Sequence, residues 1–429
     1  MLTREKNDLL TRTGPDTPMG LMMRCFWIPA MTEAEVPAAD EAPVRLTLLG
    51  EPLIVFRDSE GRVGVLDEHC PHRGASLFFG RNEEGGVRCV YHGWKFDVSG
   101  HCLDLPSEPQ DSNMRCKVQA KAYPARIAGR VLWVYMGEAS PAPALPAFEW
   151  LGVPDEQIYV SRWHQECNYA QAMEGELDSA HVGFLHRLVN QNDADDRALT
   201  GRYFTSDTAP IWKILPTEAG FRACNGRRVA GDQRYWRLNQ FLLPFYTMIP
   251  PRPADAQLVR MWVPMTDERC WVLCVTYRPD GPLSEQELAA WRNGENSHRK
   301  RVPGTTLPTE RQDNDYLIDR QAQKHISFTG IHGIRAQDAM VTESAGAIVD
   351  RSREHLGSSD RAVIAMRRSL MDAATALASS ALAPAAAAKP WLYAVRATQA
   401  VLPGELEPDN AHELMARATP PSGEPGAAA

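Results

Sequence analysis

The chain has 429 residues, too many for one small hydrophobic core, so we expect two domains. Hydrophobic residues make up 44% and charged residues 23%, as in ordinary globular proteins. The net charge is −8 and the lysines and arginines form no cluster, which argues against a nucleic-acid partner. The sequence has neither an apolar signal segment nor an apolar run long enough for a bilayer, so we expect a cytoplasmic protein without a membrane partner.

The chain contains nine cysteines. An odd number without a secretory signal is typical of a reducing compartment, where thiols bind metal or lie buried. Disulfides are therefore not expected. Cys102 and Cys116 fall outside the motif described below, and we expect both to be small buried residues.

Hydrophobic patterning predicts a β-rich first part and a mixed α/β second part. Residues 1–38 are predicted to form a helical lead-in, and a Pro- and Ala-rich connector at 140–146 marks a domain boundary. The predicted strands are 45–49, 53–56, 63–66, 131–135, 258–263 and 270–275, with a hairpin turn at 58–61. The predicted helices are 284–292, 336–355 and a stretch that begins at Arg361.

The first candidate metal site is a C-x-H motif followed by a C-x2-H motif. Its residues are Cys70, His72, Cys89 and His92. Each loop offers one thiolate and one imidazole, and two such loops can hold a [2Fe–2S] cluster with thiolates on one iron and imidazoles on the other. A structural zinc ion also accepts two cysteines and two histidines, but zinc fingers usually pair Cys with Cys and His with His.

The second candidate site is a D-x2-H-x4-H motif formed by Asp178, His181 and His186. Asp178 and His181 are three residues apart, so on a helix they would share one face. His186 would lie about 140° further round an ideal helix, which predicts that the helix bends or ends between the histidines, with Gly183 a convenient place. The spacing alone fits structural histidines as well as metal ligands.

The two motifs, in this order, resemble the ring-hydroxylating Rieske oxygenase α subunits, from about Asp8 to about Arg368. The resemblance is strongest to the phthalate dioxygenase-like branch, whose members act without a small β subunit. The segments that indicate this branch are 11–20, 174–179, 337–344 and 350–357. The resemblance implies an α+β fold, in which an N-terminal antiparallel β Rieske domain precedes an α+β catalytic domain. In that second domain, helices flank a central antiparallel sheet of helix-grip or START type.

The resemblance also implies domain limits. We expect the lead-in over 1–38, the Rieske domain over 39–140, the catalytic domain over 141–395 and a partly disordered tail over 396–429. Gly175 replaces an Asn that some Rieske oxygenases place near the iron, so a fifth ligand is not expected there.

Site roles follow from the same resemblance. The cluster ligands would be Cys70, His72, Cys89 and His92, and the Fe(II) ligands would be His181, His186 and Asp338. Glu343 is the alternative third iron ligand. Asp178 would bridge the two centres, accepting hydrogen bonds from His181 and from His92 of the neighbouring subunit in a homotrimer or a stack of trimers.

The implied activity is that of a terminal oxygenase that uses O2 to hydroxylate or O-demethylate a substituted aromatic carboxylate. Ring dihydroxylation and demethylation both remain open. No Gly-rich dinucleotide motif is found, so electrons would come from a separate NAD(P)H-dependent reductase with flavin and iron–sulfur centres, with or without a ferredoxin. The alternative is a Rieske electron carrier with an inert second domain. Candidates for binding a substrate carboxylate are Arg202, Arg228, Arg234 and Arg237.

Overall fold

The computed structural model describes residues 1–109, 111–189, 203–204, 207–229, 231–252, 255–406 and 408. The chain starts with two short helices and then enters the first sheet region. The helices are α1 (Arg4–Thr11) and α2 (Pro18–Arg24), and the strands of this region are β1 (Trp27–Thr32), β2 (Val44–Leu48), β3 (Glu51–Arg57), β4 (Val63–Asp67), β5 (Arg81–Glu83), β6 (Gly86–Arg88), β7 (Lys95–Phe96), β8 (Cys102–Asp104), β9 (Ala125–Ala128) and β10 (Val131–Tyr135).

The predicted helical lead-in is only partly correct. Thr3 and Thr17 accept hydrogen bonds from the first turns of α1 and α2 and so cap these helices. Residues 27–32, however, form the fully buried strand β1, which pairs antiparallel with β10. In the sheet, the apolar run around Trp27 is buried on both faces, whereas a continued helix would bury only one of its faces.

The first region contains three small antiparallel sheets, in the orders β2-β3-β4, β5-β6-β7-β8 and β1-β10-β9. The strands predicted here agree with β2, β3, β4 and β10 to within two residues. The predicted hairpin turn after β3 is confirmed, because Asp58 accepts hydrogen bonds from the N–H groups of Glu60 and Arg62. Cys102 is buried as expected, whereas Cys116 is exposed, so that prediction was wrong for Cys116.

The second region is built on one eight-stranded antiparallel sheet. Its order is β11-β17-β16-β15-β14-β13-β12, and β18 pairs with β14. The strands are β11 (Ile158–Gln165), β12 (Ile211–Thr217), β13 (Gly220–Val229), β14 (Gln233–Leu242), β15 (Tyr246–Met248), β16 (Gln257–Pro264), β17 (Cys270–Tyr277) and β18 (Thr398–Pro403). The predicted strands 258–263 and 270–275 correspond to β16 and β17, and β18 falls within the predicted tail. Residues 409–429 lie outside the described residues.

Helices pack around this sheet, which places the protein in the mixed α+β class. They are α3 (Tyr169–Leu177), α4 (Val182–Leu185), α5 (Glu285–Arg292), α6 (Arg320–His325), α7 (Ile334–Ser344) and α8 (Arg361–Ser380). The predicted helix 336–355 ends eleven residues early because Gly346 takes a φ of +93°, where a left-handed turn stops the helix. Within the ranges given above, no helix has the length and apolarity needed to cross a membrane.

Candidate metal centres

The two loops of the first motif have the same backbone geometry. In each loop the cysteine N–H donates to the carbonyl five residues later, and the N–H of a glycine four residues later donates back to the cysteine carbonyl. The pairs are Cys70–Ala75 (2.8 Å) and Gly74–Cys70 (2.9 Å) in the first loop, and Cys89–Trp94 (2.7 Å) and Gly93–Cys89 (2.9 Å) in the second. Gly74 and Gly93 have φ values of +72° and +76°, a left-handed conformation that glycine adopts without steric cost. The chain therefore presents two matched Cys/His loops.

The side chains of these loops suit a mixed Cys/His cluster. The rings of His72 and His92 lie 4.4 Å apart between centroids, and the Nδ1 atom of each is buried without a hydrogen-bond partner. Unpartnered buried nitrogens are rare in folded proteins unless they bind something else. Cys70 and Cys89 are both buried, and burial together with the neighbouring Cys89 raises the pKa of Cys70 to about 11. The donor set fits a [2Fe–2S] cluster.

The residues of the second motif meet Asp338 from helix α7. His181 Nε2 and His186 Nε2 are 3.2 Å apart, and Asp338 Oδ1 lies 3.5 Å and 3.1 Å from them, respectively. One donor atom from each side chain therefore converges on a small volume. Two histidines and one carboxylate are the donor set of non-heme Fe(II) sites that keep positions open for O2.

Glu343, the alternative third ligand, does not join this group. It accepts hydrogen bonds from the Tyr316 hydroxyl and the Glu166 N–H, and it lies 3.9 Å from Arg299. These contacts occupy the carboxylate away from the histidines.

The local backbone differs from the prediction. Helix α3 ends at Leu177, and Asp178 has an extended conformation, so Asp178 and His181 do not share a helix. Asp178 Oδ1 accepts a hydrogen bond from the Ala180 N–H (2.7 Å), a local turn that competes with helix continuation. One break thus precedes His181. The predicted helix end between the histidines is also present, but it falls after Leu185, where α4 ends, and not at Gly183. Asp178 Oδ2 still lies 3.4 Å from His181 Nδ1.

The three donors attract a positive charge. Burial alone would raise the pKa of Asp338, but Arg335 and the two histidines more than offset it, so this pKa lies well below its usual value. Burial would likewise lower the pKa of His181, yet hydrogen bonds and charge from Asp178 and Asp338 raise it to about 9. A divalent cation bound by the three donors could take the place of the proton on His181.

Two protein-family profiles match the chain. The profile of the Rieske [2Fe-2S] domain matches residues 26–124, and the profile described as LigXa C-terminal domain like matches residues 134–415. The chain is 39% identical over 388 residues to the 3-chlorobenzoate-3,4-dioxygenase oxygenase subunit of Comamonas testosteroni, covering 87% of this chain and 88% of the relative. The chain belongs to the Rieske oxygenases, as an oxygenase subunit.

Further relatives agree with this assignment. The Rieske oxygenase is 38% identical over 388 residues to the phthalate 4,5-dioxygenase oxygenase subunit of Pseudomonas putida, covering 88% of this chain and 87% of the relative. A crystal structure of dicamba monooxygenase bound to dicamba is similar in fold, with a TM-score of 0.59 at 20% identity over 83% of this chain and 99% of that chain. As a family member, the oxygenase carries one Rieske [2Fe–2S] cluster and one mononuclear iron.

A cavity of about 560 Å³ opens beside the second candidate metal centre. Its walls combine the motif residues with aromatic and polar side chains from the sheet. Among the lining residues are Asp178, His181, His186, Phe204, Tyr235 and Arg237.

Of the candidate arginines for a substrate carboxylate that lie among the described residues, only Arg237 lines this cavity. Arg228 on β13 is exposed, and Arg234 on β14 is half-buried but does not line the cavity. Arg202 lies outside the described residues. Arg237 donates from Nη2 to the Pro250 carbonyl (3.3 Å), its Nε has no partner, and no carboxylate in the described part of the chain forms an ion pair with it. Burial lowers the pKa of Arg237.

Several residues near the site were not anticipated. Arg335 lies 2.9 Å from Asp338, and Gln337 Oε1 lies 2.7 Å from His186 Nδ1. Arg335 lies one residue before the predicted helix 336–355 and three residues before Asp338, and this spacing could have suggested their pairing. His298, fully buried, had no sequence signal at all.

His298 predicts a specific dependence of stability on pH. Its ring nitrogens lie 2.6 Å from Ser161 Oγ and 2.8 Å from Thr276 Oγ1, and burial, with Arg260 and other cations nearby, holds its pKa well below the usual value. The unfolded chain takes up a proton here below about pH 6.5 and the folded chain does not, so stability falls by up to about 1.4 kcal/mol per pH unit as the pH drops from 6.5 to 5.

Replacing His298 by Gln removes this proton uptake. We expect the Tm of His298→Gln, measured between pH 5 and 7.5, to fall less steeply on acidification than that of the wild type. The exposed His101→Gln serves as the control and should follow the wild type. If the Tm of the wild type and of His298→Gln fell equally steeply with decreasing pH, the conclusion that His298 stays neutral in the folded protein would be wrong.

Proposed function

We propose that Cys70, His72, Cys89 and His92 hold the Rieske cluster and that His181, His186 and Asp338 hold the mononuclear iron. The unpartnered Nδ1 atoms of His72 and His92 support the first assignment, and the convergence of three donor atoms supports the second. The cluster supplies single electrons and the iron is the place where O2 is activated. We also propose the division into a Rieske domain over 39–140 and a catalytic domain over 141–395.

For the substrate we infer a substituted aromatic carboxylate, which the oxygenase hydroxylates or O-demethylates. The observation that carries this inference is Arg237, a guanidinium without a carboxylate partner in the described residues, on the wall of the cavity that His181 and His186 also line. A planar guanidinium fork can bind both oxygens of a carboxylate. Two relatives carry 3-chlorobenzoate and phthalate in their names, and both compounds are aromatic carboxylates.

The rest of the cavity wall suits an aromatic ring. Phe204, Tyr235 and Trp291 supply flat apolar surface, and rings packed in offset or edge-to-face arrangements gain about 0.5–1.5 kcal/mol beyond their buried area. An acid held by Arg237 and packed on these rings would be restricted to few orientations relative to the donor triad. Such positioning decides which carbon reacts.

We further propose a head-to-tail homotrimer, or a stack of two trimers, in which Asp178 accepts a hydrogen bond from His92 of the neighbouring subunit. Two exposed apolar surfaces support such a contact. One adjoins the cluster loops and contains Phe79, Val90 and Tyr91; the other adjoins α4 and contains Phe184, Leu188, Ile326 and Phe328. In the same proposal, electrons come from a separate reductase, either directly or through a ferredoxin.

Kinetics of Arg237→Gln test the substrate assignment. With reductase and NADH, the holoenzyme is assayed on chlorinated and methoxylated benzoates and on the matching benzamides, which lack the charge. We expect turnover of benzoates only. Because a charged hydrogen-bonded pair contributes about 1.5–3 kcal/mol, Arg237→Gln should raise the KM for the acid about 10- to 100-fold with an unchanged cluster spectrum.

Arg228→Gln is the matched control and should keep the wild-type KM, since Arg228 is exposed outside the cavity. Equal turnover of acids and amides, or a wild-type KM in Arg237→Gln, would refute the carboxylate assignment. Release of formaldehyde from methoxybenzoates would identify an O-demethylase, and a cis-diol would identify a ring dioxygenase.

A further inference from the structure

Strand β14 carries a row of polar side chains along the wall of the cavity. Successive side chains of a strand point to opposite faces, so Tyr235, Arg237 and Asn239 share one face, and all three line the cavity. Trp236 and Leu238 alternate with them and belong to a separate hydrophobic cluster. The cavity face of β14 therefore offers three polar groups at a spacing of two residues.

Asn239 differs from its two neighbours in this row. Tyr235 and Arg237 each donate a hydrogen bond within the chain, whereas the Oδ1 atom of Asn239 is buried and has no hydrogen-bond partner. The residue opposite Asn239 on β13 is Ala223, whose methyl group cannot form a hydrogen bond. Asn239 is only 2% exposed, so bulk water does not compensate for the missing partner. A buried acceptor in this state costs stability, which indicates that its partner comes from outside the chain.

The chemistry of the amide specifies what this partner is. A carbonyl oxygen only accepts hydrogen bonds, so the partner has to be a donor. Chlorine, methyl and methoxy substituents of an aromatic ring carry no donor hydrogen, whereas a hydroxyl group does. A hydroxyl also accepts, so it pairs equally well if the amide of Asn239 rotates by 180° and presents its NH2 group instead. A ring hydroxyl is therefore the substituent that suits Asn239.

We propose that Asn239 is a specificity-determining residue that binds a hydroxyl group on the substrate ring, so that the preferred substrate is a hydroxylated aromatic acid. The proposal rests on the proposed function, in which Arg237 binds the carboxylate. Residues two apart on a strand are separated by about 6.6 Å, a span that one substituted benzene ring can bridge. Two contacts from one strand hold the ring at two points and so restrict its orientation in the cavity.

The test measures binding to the oxidised holoenzyme, so that the effect of a hydroxyl group on ring reactivity does not enter. Isothermal titration calorimetry gives the Kd of 2-, 3- and 4-hydroxybenzoate and of the chlorobenzoates substituted at the same positions. We expect at least one hydroxybenzoate to bind about 10- to 100-fold more tightly than the matching chlorobenzoate, which leaves the buried acceptor unpaired.

Asn239→Leu removes the acceptor and keeps a side chain of similar size. We expect this variant to bind the hydroxybenzoates and the matching chlorobenzoates with equal Kd. Its Tm without ligand should equal or exceed that of the wild type, because an unpaired buried polar group has been removed. Asn113→Leu, at an exposed position of the first region, is the matched control and should keep the wild-type Kd values.

Three results would overturn the role of Asn239. They are a wild type that binds hydroxybenzoates no more tightly than chlorobenzoates, a preference for the hydroxyl that persists in Asn239→Leu, and a lower Tm in that variant, which would indicate a structural role. The first needs only the wild-type protein and decides the matter even if the variant does not fold. Benzamides that bind as tightly as the matching benzoates would instead show that the carboxylate assignment has failed, which separates the two failures.

Discussion

Asp178→Ala should retain the visible absorption of the reduced and oxidised cluster and lose about 100-fold in substrate turnover. In the folded chain Asp178 faces His181 Nδ1 at 3.4 Å, and its side chain is 26% exposed, so one edge of the carboxylate remains available to a neighbouring subunit. Removing it breaks the proposed link between cluster and iron, while all proposed ligands of both centres stay in the sequence. Single-turnover absorption changes of the pre-reduced cluster, recorded with substrate and O2, measure the loss directly.

A second substitution separates charge from local structure. Asp178→Asn can still accept the hydrogen bond from the Ala180 N–H that shapes the turn before His181, whereas Asp178→Ala cannot. If the carboxylate itself carries the link, both variants lose turnover; if the turn alone matters, the Asn variant recovers. Asp280→Ala, at an exposed loop, serves as the control. Coupled turnover at the wild-type rate in Asp178→Ala would eliminate the bridging role.

Asp338→Ala should lower the iron content from about three to about two atoms per chain while the cluster EPR signal persists. Asp338 supplies the only carboxylate oxygen in the donor group found among the described residues, and the two histidines alone hold Fe(II) poorly. Metal analysis after gel filtration, together with low-temperature EPR of the reduced protein, measures both centres in one sample.

Glu343→Gln is the matched control for this loss. The amide can still accept the hydrogen bond from Tyr316, so the fold is kept, and we expect about three irons to remain. Full iron retention in Asp338→Ala with loss in Glu343→Gln would transfer the ligand role to Glu343. A wild-type protein with two irons would instead support the electron-carrier alternative.

The two Cys/His loops could be recognised from sequence because the donors of each loop are close together in the chain. Cys70 and His72 share one loop and Cys89 and His92 another, so the spacing already specifies which donors lie together. Asp338 was different: it is distant in sequence from the two histidines, and only the family resemblance suggested it. Its approach to His186 depends on how α7 packs against α3, which no local pattern encodes.

Other features depended on competing local interactions or on the whole fold. The predicted helix through Asp178 and His181 was wrong because an aspartate side chain captured a backbone N–H and ended α3. Arg237 could not be selected among the candidate arginines, since its position on the cavity wall requires the register of β14 between β13 and β15. That register is a tertiary property.

Strand β18, near the end of the described chain, packs beside the cavity. It hydrogen-bonds along residues 233–238 of β14, and its Gln399 both contacts Tyr235 and forms part of the cavity wall. A protein shortened to end at residue 395 would leave six residues of β14 with an unpaired edge, which can pair with other chains and aggregate, and would leave a gap in the cavity wall. Affinity tags or fusions are therefore better attached beyond this strand than in place of it.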